Sequence, residues 1–243
     1  MLAHRATMML VPMYALILSG GQGERLRPLT DTVPKPMVQV NGKPILLYQV
    51  NWFKRAGVTD VMFLCGYRWE AIRDFFGDGS DFGVKTHYSV EDTPLGRGGA
   101  LKQGMAAVPA SERTVLASNG DTLTNQELQP MIEQHHSSGA LATVMLTPYP
   151  SAYGVVDVGE SGRITAFQEK GDLPLWINAG VYVLDTAIRE ELPDLGDHET
   201  TTFPRLAEAG SIYAYPSRAF WKTVDNLKEL KEAEEAMAGQ EWQ

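Results

Sequence analysis

Residues 14–36, YALILSGGQGERLRPLTDTVPKP, contain the pattern that decides the predicted fold. An apolar run that leads directly into a glycine-rich turn is typical of a buried strand that delivers the backbone to a phosphate group. Gly20, Gly21 and Gly23 lack a Cβ, so the backbone can adopt positive φ and direct its N–H groups at anionic oxygens. The stretch therefore predicts a loop that binds a polyphosphate.

Two cations follow the turn and narrow the choice of motif. Arg25 offers a planar fork of donors, and Lys35, between two prolines, offers a compact mobile charge. A P-loop would place Lys and then Ser or Thr directly after its last glycine, where Glu24 and Arg25 stand instead. A dinucleotide-binding fingerprint would need a small residue three positions after Gly23, where Leu26 stands. A turn that only reverses the chain, with both cations as surface charges, remains the alternative.

Composition excludes several other classes of protein. A chain of 243 residues can form one domain with a full core, and its net charge of -9 argues against a nucleic-acid-binding surface. Cys65 is the only cysteine in the sequence, so no intrachain disulfide is expected and a reducing cytoplasm fits best. No stretch approaches the roughly eighteen apolar residues of a membrane helix. Residues 1–12 could pass for a short signal peptide, but we expect an N-terminal extension, because the next apolar run ends in the phosphate loop.

The pattern Gly-Gly-x-Gly-x-Arg-Leu-x-Pro-Leu-Thr, followed by Pro-Lys-Pro, closely resembles the signature of the sugar-1-phosphate nucleotidyltransferases, or NDP-sugar pyrophosphorylases. The resemblance extends from Tyr14 to about Met237. It implies an α/β fold of the nucleotide-diphospho-sugar transferase type, in which helices flank a Rossmann-like mixed sheet and a β-rich portion binds the sugar. We expect the short single-domain form over residues 13–240, with a nucleotide-binding half (13–147), a sugar-phosphate-binding half (148–224) and a C-terminal helix (225–240).

The nucleotide half of the predicted site combines the first loop with a second glycine-rich segment, EDTPLGRGGAL at residues 91–101. In the family a similar segment closes over the nucleobase, although Arg97 stands where a small residue is common. The Glu91 carboxylate only accepts hydrogen bonds, which suits the N1–H and N2–H₂ groups of guanine, but a solvated loop acid is an equally simple interpretation. The predicted nucleotide-binding residues are Leu18, Gly20, Gly21, Gly23, Glu91, Pro94, Gly96 and Asp121.

Two aspartates are predicted to hold Mg²⁺, the expected cofactor. Asp121 follows an apolar strand in the sequence Asn-Gly-Asp, and Mg²⁺ prefers one or two carboxylates together with phosphate oxygens. The resembling family carries its metal aspartate in this context, and it places a second one near the position of Asp225. Each aspartate could instead cap the helix that follows it.

The resemblance also implies a set of sugar-phosphate-binding residues in the β-rich portion. Gly154 matches a glycine whose backbone meets the sugar, and Glu169 and Lys170 match a Glu-Lys pair that holds the sugar hydroxyls and the sugar phosphate. Asn178 and Tyr182 fall on a strand that lines the sugar. A surface ion pair is the alternative for Glu169 and Lys170. Residues 148–150, Pro-Tyr-Pro, are expected to end the preceding strand, 140–147.

The implied reaction joins an NTP and a sugar 1-phosphate to give an NDP-sugar and pyrophosphate. Arg25 and Lys35 are the expected catalytic residues: Arg25 would hold the departing pyrophosphate, and Lys35 would stabilise charge on the α-phosphoryl group. Glu91 and the chain length favour GTP with mannose- or heptose-1-phosphate, while UTP, dTTP or CTP with another sugar remains open. A non-catalytic nucleotide-sugar-binding regulatory protein is the alternative of another class. No nucleic-acid or membrane partner is expected, and a homo-oligomer is compatible with the sequence.

Overall fold

The computed structural model describes residues 13–151, 153–169 and 171–239, so the predicted extension at residues 1–12 lies outside the described part. Thirteen strands are assigned within it: β1 (Tyr14–Ser19), β2 (Gln39–Val40), β3 (Lys43–Pro44), β4 (Asp60–Cys65), β5 (Lys85–Val90), β6 (Thr114–Asn119), β7 (Thr122–Thr124), β8 (Ala142–Pro150), β9 (Val155–Val158), β10 (Ile164–Gln168), β11 (Asp172–Asp185), β12 (Ile212–Pro216) and β13 (Trp221–Thr223). The α-helices are α1 (Ile45–Arg55), α2 (Glu70–Phe76), α3 (Gly96–Met105), α4 (Gln129–Ser138), α5 (Thr202–Glu208) and α6 (Leu227–Met237).

A seven-stranded mixed sheet forms the centre of the molecule, in the order β12-β8-β11-β6-β1-β4-β5. β1 lies between β4 and β6 and is parallel to both. β11 is antiparallel to its two neighbours, β6 and β8. Parallel strands at the centre of such a sheet are buried on both faces, which explains the continuous apolar run of β1. The α/β fold with a mixed sheet that the sequence predicted is confirmed.

Alternating residues of β1 point to two separate hydrophobic clusters, one on each face of the sheet. Ala15 and Ile17 pack in a cluster that also contains residues of α1, α2 and α4. Tyr14 and Leu16 pack in the other, which contains residues of α3 and α5. This alternation follows from the two-residue period of a strand and makes the fold a doubly covered sheet.

A third cluster brings the C-terminal helix beside the phosphate loop. Leu26, from the loop, is fully buried together with Val224 and Met237. Val224 lies just before α6, and Met237 is the last residue of α6. Two small ladders, β2–β3 and β7–β13, support the same region. The burial of Leu26 therefore fixes the loop against residues that follow it by about two hundred positions.

The β-rich portion differs from the prediction in one detail. β9 and β10 form an antiparallel pair. β8, however, continues through Pro148 and Pro150, which pair with Trp176 and Asp172 of β11. Proline lacks a ladder donor, and the register of β8 and β11 shifts beside these pairs, so the strand persists with irregular pairing where we expected it to end. Among the described residues, none of the helices combines the length and the apolarity needed to cross a bilayer.

Candidate active site

A cavity of about 330 Å³ opens beyond the carboxyl ends of β1 and β6, next to the start of α3. Open α/β sheets bind ligands at this edge, and the volume lies in the range of small-molecule pockets. The sequence predicted more than half of the residues that line it. Eight of the predicted residues line it: Leu18, Gly20, Gly21, Lys35, Glu91, Pro94, Gly96 and Asp121.

Gly23 does not line the cavity but shapes the loop beneath it. Its φ of 66° lies in the left-handed region, and a Cβ at this position would lie 2.8 Å from Cβ of Lys35. Its carbonyl accepts hydrogen bonds from Leu26 N at 2.9 Å and from the Thr30 hydroxyl at 2.8 Å. A glycine is therefore needed here for two reasons: the turn requires positive φ, and the stem of Lys35 passes through the space of the missing side chain.

Four predicted residues meet in one ionic cluster at the edge of the cavity. The Lys35 ammonium donates to Asp225 Oδ1 at 2.6 Å and also donates to Asp121 Oδ2. Arg25 donates to the same Asp225 oxygen at 2.9 Å, while 71% of its side chain stays exposed. Burial alone would lower the pKa of Lys35, but Asp121 and Asp225 outweigh it and the pKa is raised. Lys35 therefore remains a cation throughout the neutral range.

The two aspartates meet the requirements of a divalent cation. Oδ1 of Asp121 is buried without a hydrogen-bond partner among the described residues, and Asp225 contributes a second carboxylate to the same point. No group of three or more His, Cys, Asp or Glu side chains within the described ranges could hold a metal alone. Two carboxylates that need further oxygens from phosphates match the preference of Mg²⁺. Asn226, rather than Asp225, caps α6, because its side chain accepts from Lys228 N and Glu229 N.

Glu91 is held in the cavity wall by the backbone around it. Its Oε2 accepts a hydrogen bond from Leu95 N, and a Cβ on Gly20 would lie 2.7 Å from its Oε1. One carboxylate oxygen therefore shapes the second glycine-rich segment, and the other lies beside the phosphate loop. Cys65 lies nearby, but burial raises the pKa of its thiol to about 12, so it is a protonated core residue and not a nucleophile.

The predicted sugar-binding residues lie in two places. Gly154 and Glu169 are neighbours, since a Cβ on Gly154 would lie 3.3 Å from Glu169 Oε2. Asn178 and Tyr182 lie on β11, where Asn178 Nδ2 donates to the Tyr182 hydroxyl at 3.0 Å. Neither β11 residue lines the cavity. Lys170 lies outside the described residues, so its predicted role stays a prediction.

Sequence reasoning missed the partners of Arg97. This residue lines the cavity and donates to Asp197 and Glu199, about a hundred positions along the chain. Glu199 in turn accepts from Asn178 and Tyr182. The signal in the sequence was the unusual arginine itself, but nothing local indicated which carboxylates it would meet.

A family comparison identifies the class of protein to which this fold belongs. The chain belongs to the family described as Nucleotidyl transferase, which matches residues 14–240. The family resemblance found in the sequence is therefore confirmed.

Individual curated relatives are similar to this chain over most of its length. The chain is 35% identical to mannose-1-phosphate guanyltransferase 2 of Candida glabrata over 90% of its own length and 63% of that protein. It is 36% identical to mannose-1-phosphate guanylyltransferase catalytic subunit beta of Danio rerio over 90% of its length and 62% of that protein. The chain thus spans less than two thirds of these curated relatives. Among solved structures, a putative glucose-1-phosphate thymidylyltransferase from Bacillus anthracis superposes with a TM-score of 0.76 at 22% identity, covering 94% of this chain and 96% of that one, which shows the fold.

Proposed function

We propose that this protein transfers a guanylyl group from GTP to mannose 1-phosphate, giving GDP-mannose and pyrophosphate. The observation that carries the proposal is the cluster of Lys35, Arg25, Asp121 and Asp225 at the edge of the cavity. The names of the curated relatives support the base and favour mannose over the heptose that the sequence left open. In this proposal residues 13–147 supply the nucleotide half of the site and residues 148–224 the acceptor half.

In the proposed reaction a phosphate oxygen of mannose 1-phosphate attacks the α-phosphorus in line, and pyrophosphate leaves on the opposite side. Most of the acceleration then comes from positioning and from neutralising charge. Lys35 donates to the α-phosphoryl oxygens, where negative charge develops. Arg25, whose exposed guanidinium can turn toward the cavity, holds the β- and γ-phosphates as they leave.

Asp121 and Asp225 would hold Mg²⁺ in this proposal. The ion, when bound, neutralises phosphate charge and fixes the geometry of the two substrates. The lone Oδ1 of Asp121 supports the assignment, because a buried acceptor without a partner costs free energy unless a ligand satisfies it. A bound triphosphate also offers the Lys35 ammonium new acceptors in place of the two carboxylates.

Glu91 supports the choice of guanine. A carboxylate is an acceptor only, and guanine presents two adjacent donors, N1–H and N2–H₂, on its Watson–Crick edge. The contact with Leu95 N fixes the orientation of the carboxylate in the cavity wall. Lys170, Glu169 and Gly154 would hold the sugar phosphate and the sugar, as the resemblance implies.

A pyrophosphate-release assay with Mg²⁺ tests the proposal. It crosses GTP, ATP, UTP, CTP and dTTP with mannose, glucose, heptose and N-acetylglucosamine 1-phosphates. The strongest signal is expected with GTP and mannose 1-phosphate. A stronger signal with another pair of substrates would keep the reaction and correct its substrates. Nucleotide binding without turnover anywhere in the grid would instead favour a regulatory nucleotide-sugar-binding protein.

A further inference from the structure

The guanidinium of Arg97 is fixed in the cavity wall by two carboxylates. Nη1 and Nη2 donate to the two oxygens of Glu199 at 2.8 and 2.9 Å, a bidentate arrangement. Nε donates to Asp197 Oδ2 at 2.8 Å, and Nη2 donates to the same carboxylate. Paired hydrogen bonds of this kind between a guanidinium and a carboxylate fix the orientation of the guanidinium and also neutralise part of its charge. The side chain is 40% exposed, so the guanidinium is both held and accessible.

Glu199 extends this contact to β11. Its Oε1 accepts from Asn178 Nδ2 at 2.9 Å and from the Tyr182 hydroxyl at 3.0 Å. Asn178 also donates to Tyr182, and its Oδ1 accepts from Gly180 N at 2.8 Å. The hydrogen-bonding groups of Asn178 are therefore engaged within the protein. Arg97 is the member of this network that lines the cavity, and Glu199 holds its guanidinium from behind.

The backbone holds the two segments together independently of these side chains. Gly98 N donates to Gly196 O at 2.9 Å, and Gly196 N donates to Leu95 O at 2.8 Å. A Cβ on Gly96 would lie 2.6 Å from Gly196 O, so the start of α3 and the segment around Gly196 are in close contact. The Arg97 side chain is thus ordered before any substrate arrives, which reduces the entropic cost of binding through it.

The cluster retains some hydrogen-bonding capacity and a net negative charge. A guanidinium has five N–H groups, and the bonds above use four of them, so one Nη1–H has no acceptor among the described residues. Glu199 Oε2 accepts only from Arg97 within the same part of the chain. One cation against two carboxylates leaves one negative charge. Such a wall suits the hydroxyl groups of an uncharged ring and repels an anionic substituent.

We propose that Arg97, together with Glu199, determines which sugar the acceptor site takes. The free Nη1–H of Arg97 donates to a sugar hydroxyl, and Glu199 positions the guanidinium for that contact. This inference rests on the proposed function and adds the residue pair that selects its acceptor. Arg97 belongs to the nucleotide half of the proposed site, but its carboxylate partners, Asp197 and Glu199, belong to the acceptor half, so its guanidinium lies where the two halves meet. Sugars that carry a carboxylate or a second phosphate at this place are disfavoured by the charge of the cluster.

The test compares wild type with Arg97→Thr, using GTP with mannose 1-phosphate and with its epimer glucose 1-phosphate. Loss of a hydrogen bond from a charged group predicts that KM for mannose 1-phosphate rises at least about tenfold. The ratio of the two kcat/KM values is expected to fall at least about fivefold. KM for GTP should change less than about twofold, because the contact is made with the acceptor.

Lys102→Met is the matched control. Lys102 lies on the same helix and donates to Asp194 at 2.8 Å, so it also joins α3 to the neighbouring segment, but it does not line the cavity. Its kinetic constants should equal those of wild type. Arg97→Lys is the second variant: it keeps the charge, cannot bridge both carboxylates, and should lose discrimination while remaining folded. Thermal unfolding of each variant reports folding.

An unchanged kcat/KM ratio in a folded Arg97 variant would overturn the inference, and so would an equal rise in KM for GTP. A Lys102→Met variant with the same change in KM and in the kcat/KM ratio would also overturn it. The same holds for a wild type that uses both epimers equally. Wild type without turnover on any sugar 1-phosphate would refute the proposed function itself, and the inference with it. Turnover with unaltered discrimination would refute the inference alone.

Discussion

Lys35 and Asp225 are 190 positions apart in the chain, yet Nζ of Lys35 donates to Oδ1 of Asp225 at 2.6 Å. Asp121, from the end of β6, accepts from the same ammonium. One cation therefore joins the phosphate loop, the central sheet and the start of the C-terminal helix.

Lys35→Ala should lower kcat at least about a hundredfold, because it removes a positioned donor where charge develops in the transition state. Steady-state kinetics at pH 8 with saturating GTP, mannose 1-phosphate and Mg²⁺ measure the effect. Lys231→Ala is the control, since Lys231 is an exposed lysine of α6 paired with Glu235. A Lys35→Ala enzyme within twofold of wild type would contradict the role given to Lys35.

Asp121→Asn should raise the Mg²⁺ concentration needed for half-maximal rate by at least about tenfold, because the amide loses the anionic oxygen that a hard cation prefers. Asp225→Asn should shift the midpoint in the same direction. The measurement is a Mg²⁺ titration of the initial rate. Asp74→Asn, which alters an exposed carboxylate paired with Arg73 on α2, should leave the midpoint unchanged. Identical midpoints in all four proteins would remove the two aspartates from the metal site.

Gly23→Ala and Gly139→Ala form a matched pair. Both glycines have φ near +65°, but a Cβ meets nothing within 4 Å at Gly139, while at Gly23 it meets the Lys35 stem at 2.8 Å. Each substitution should cost about 1 kcal/mol in the free energy of unfolding, because an L-residue is strained in this region. Only Gly23→Ala should also lower kcat, since it displaces Lys35. Urea unfolding measures the loss of stability, and steady-state kinetics measure kcat. Equal kcat values in the two variants would argue against the contact between position 23 and the Lys35 side chain.

The structure predicts loss of stability in mild acid. Burial lowers the pKa of His198 to about 4, and burial also lowers that of His135 to about 4. An unfolded histidine titrates near about 6.5, so between about pH 6.5 and pH 4 the unfolded chain binds more protons, and stability falls as pH falls. Each histidine contributes roughly 3 kcal/mol to this loss. Urea unfolding at pH 7.5, 5.5 and 4.5 measures it.

His198→Leu separates the contribution of one histidine. His198 packs edge-on against Tyr182 and Phe203, and neither ring nitrogen has a hydrogen-bond partner among the described residues. Leucine should therefore be nearly neutral at pH 7.5 and more stable than wild type at pH 4.5. A His198→Leu profile parallel to that of wild type would contradict the assignment.

The sequence predicted those features of the fold that depend on residues close together in the chain. The apolar run of β1, the glycines of the loop and the alternation of strands and helices each depend on neighbouring residues, and all appear where expected. The aspartates were found through a resemblance, which named them but not their shared ion pairs with Lys35. The contacts of Arg97 with Asp197 and Glu199 were missed, because they depend on tertiary structure that joins segments about a hundred residues apart.

One strand boundary was wrong for a related reason. Proline disfavours a strand locally, but β11 provides a partner on which β8 can continue to Pro150. Local contacts also determine where α5 begins, at Thr202. Asp197 Oδ1 accepts from Glu199 N at 2.9 Å, so the chain makes a turn there, and that turn presents both carboxylates to Arg97.

The most direct test of the central claim is to follow GTP and mannose 1-phosphate with the purified protein and Mg²⁺ by ³¹P NMR. The account predicts that the resonances of a sugar nucleotide and of pyrophosphate grow in equal amounts as those of both substrates decline. It also predicts that Lys35→Ala abolishes both products on the same time scale. Formation of GDP and inorganic phosphate, or unchanged substrates beside a folded and nucleotide-bound protein, would contradict it.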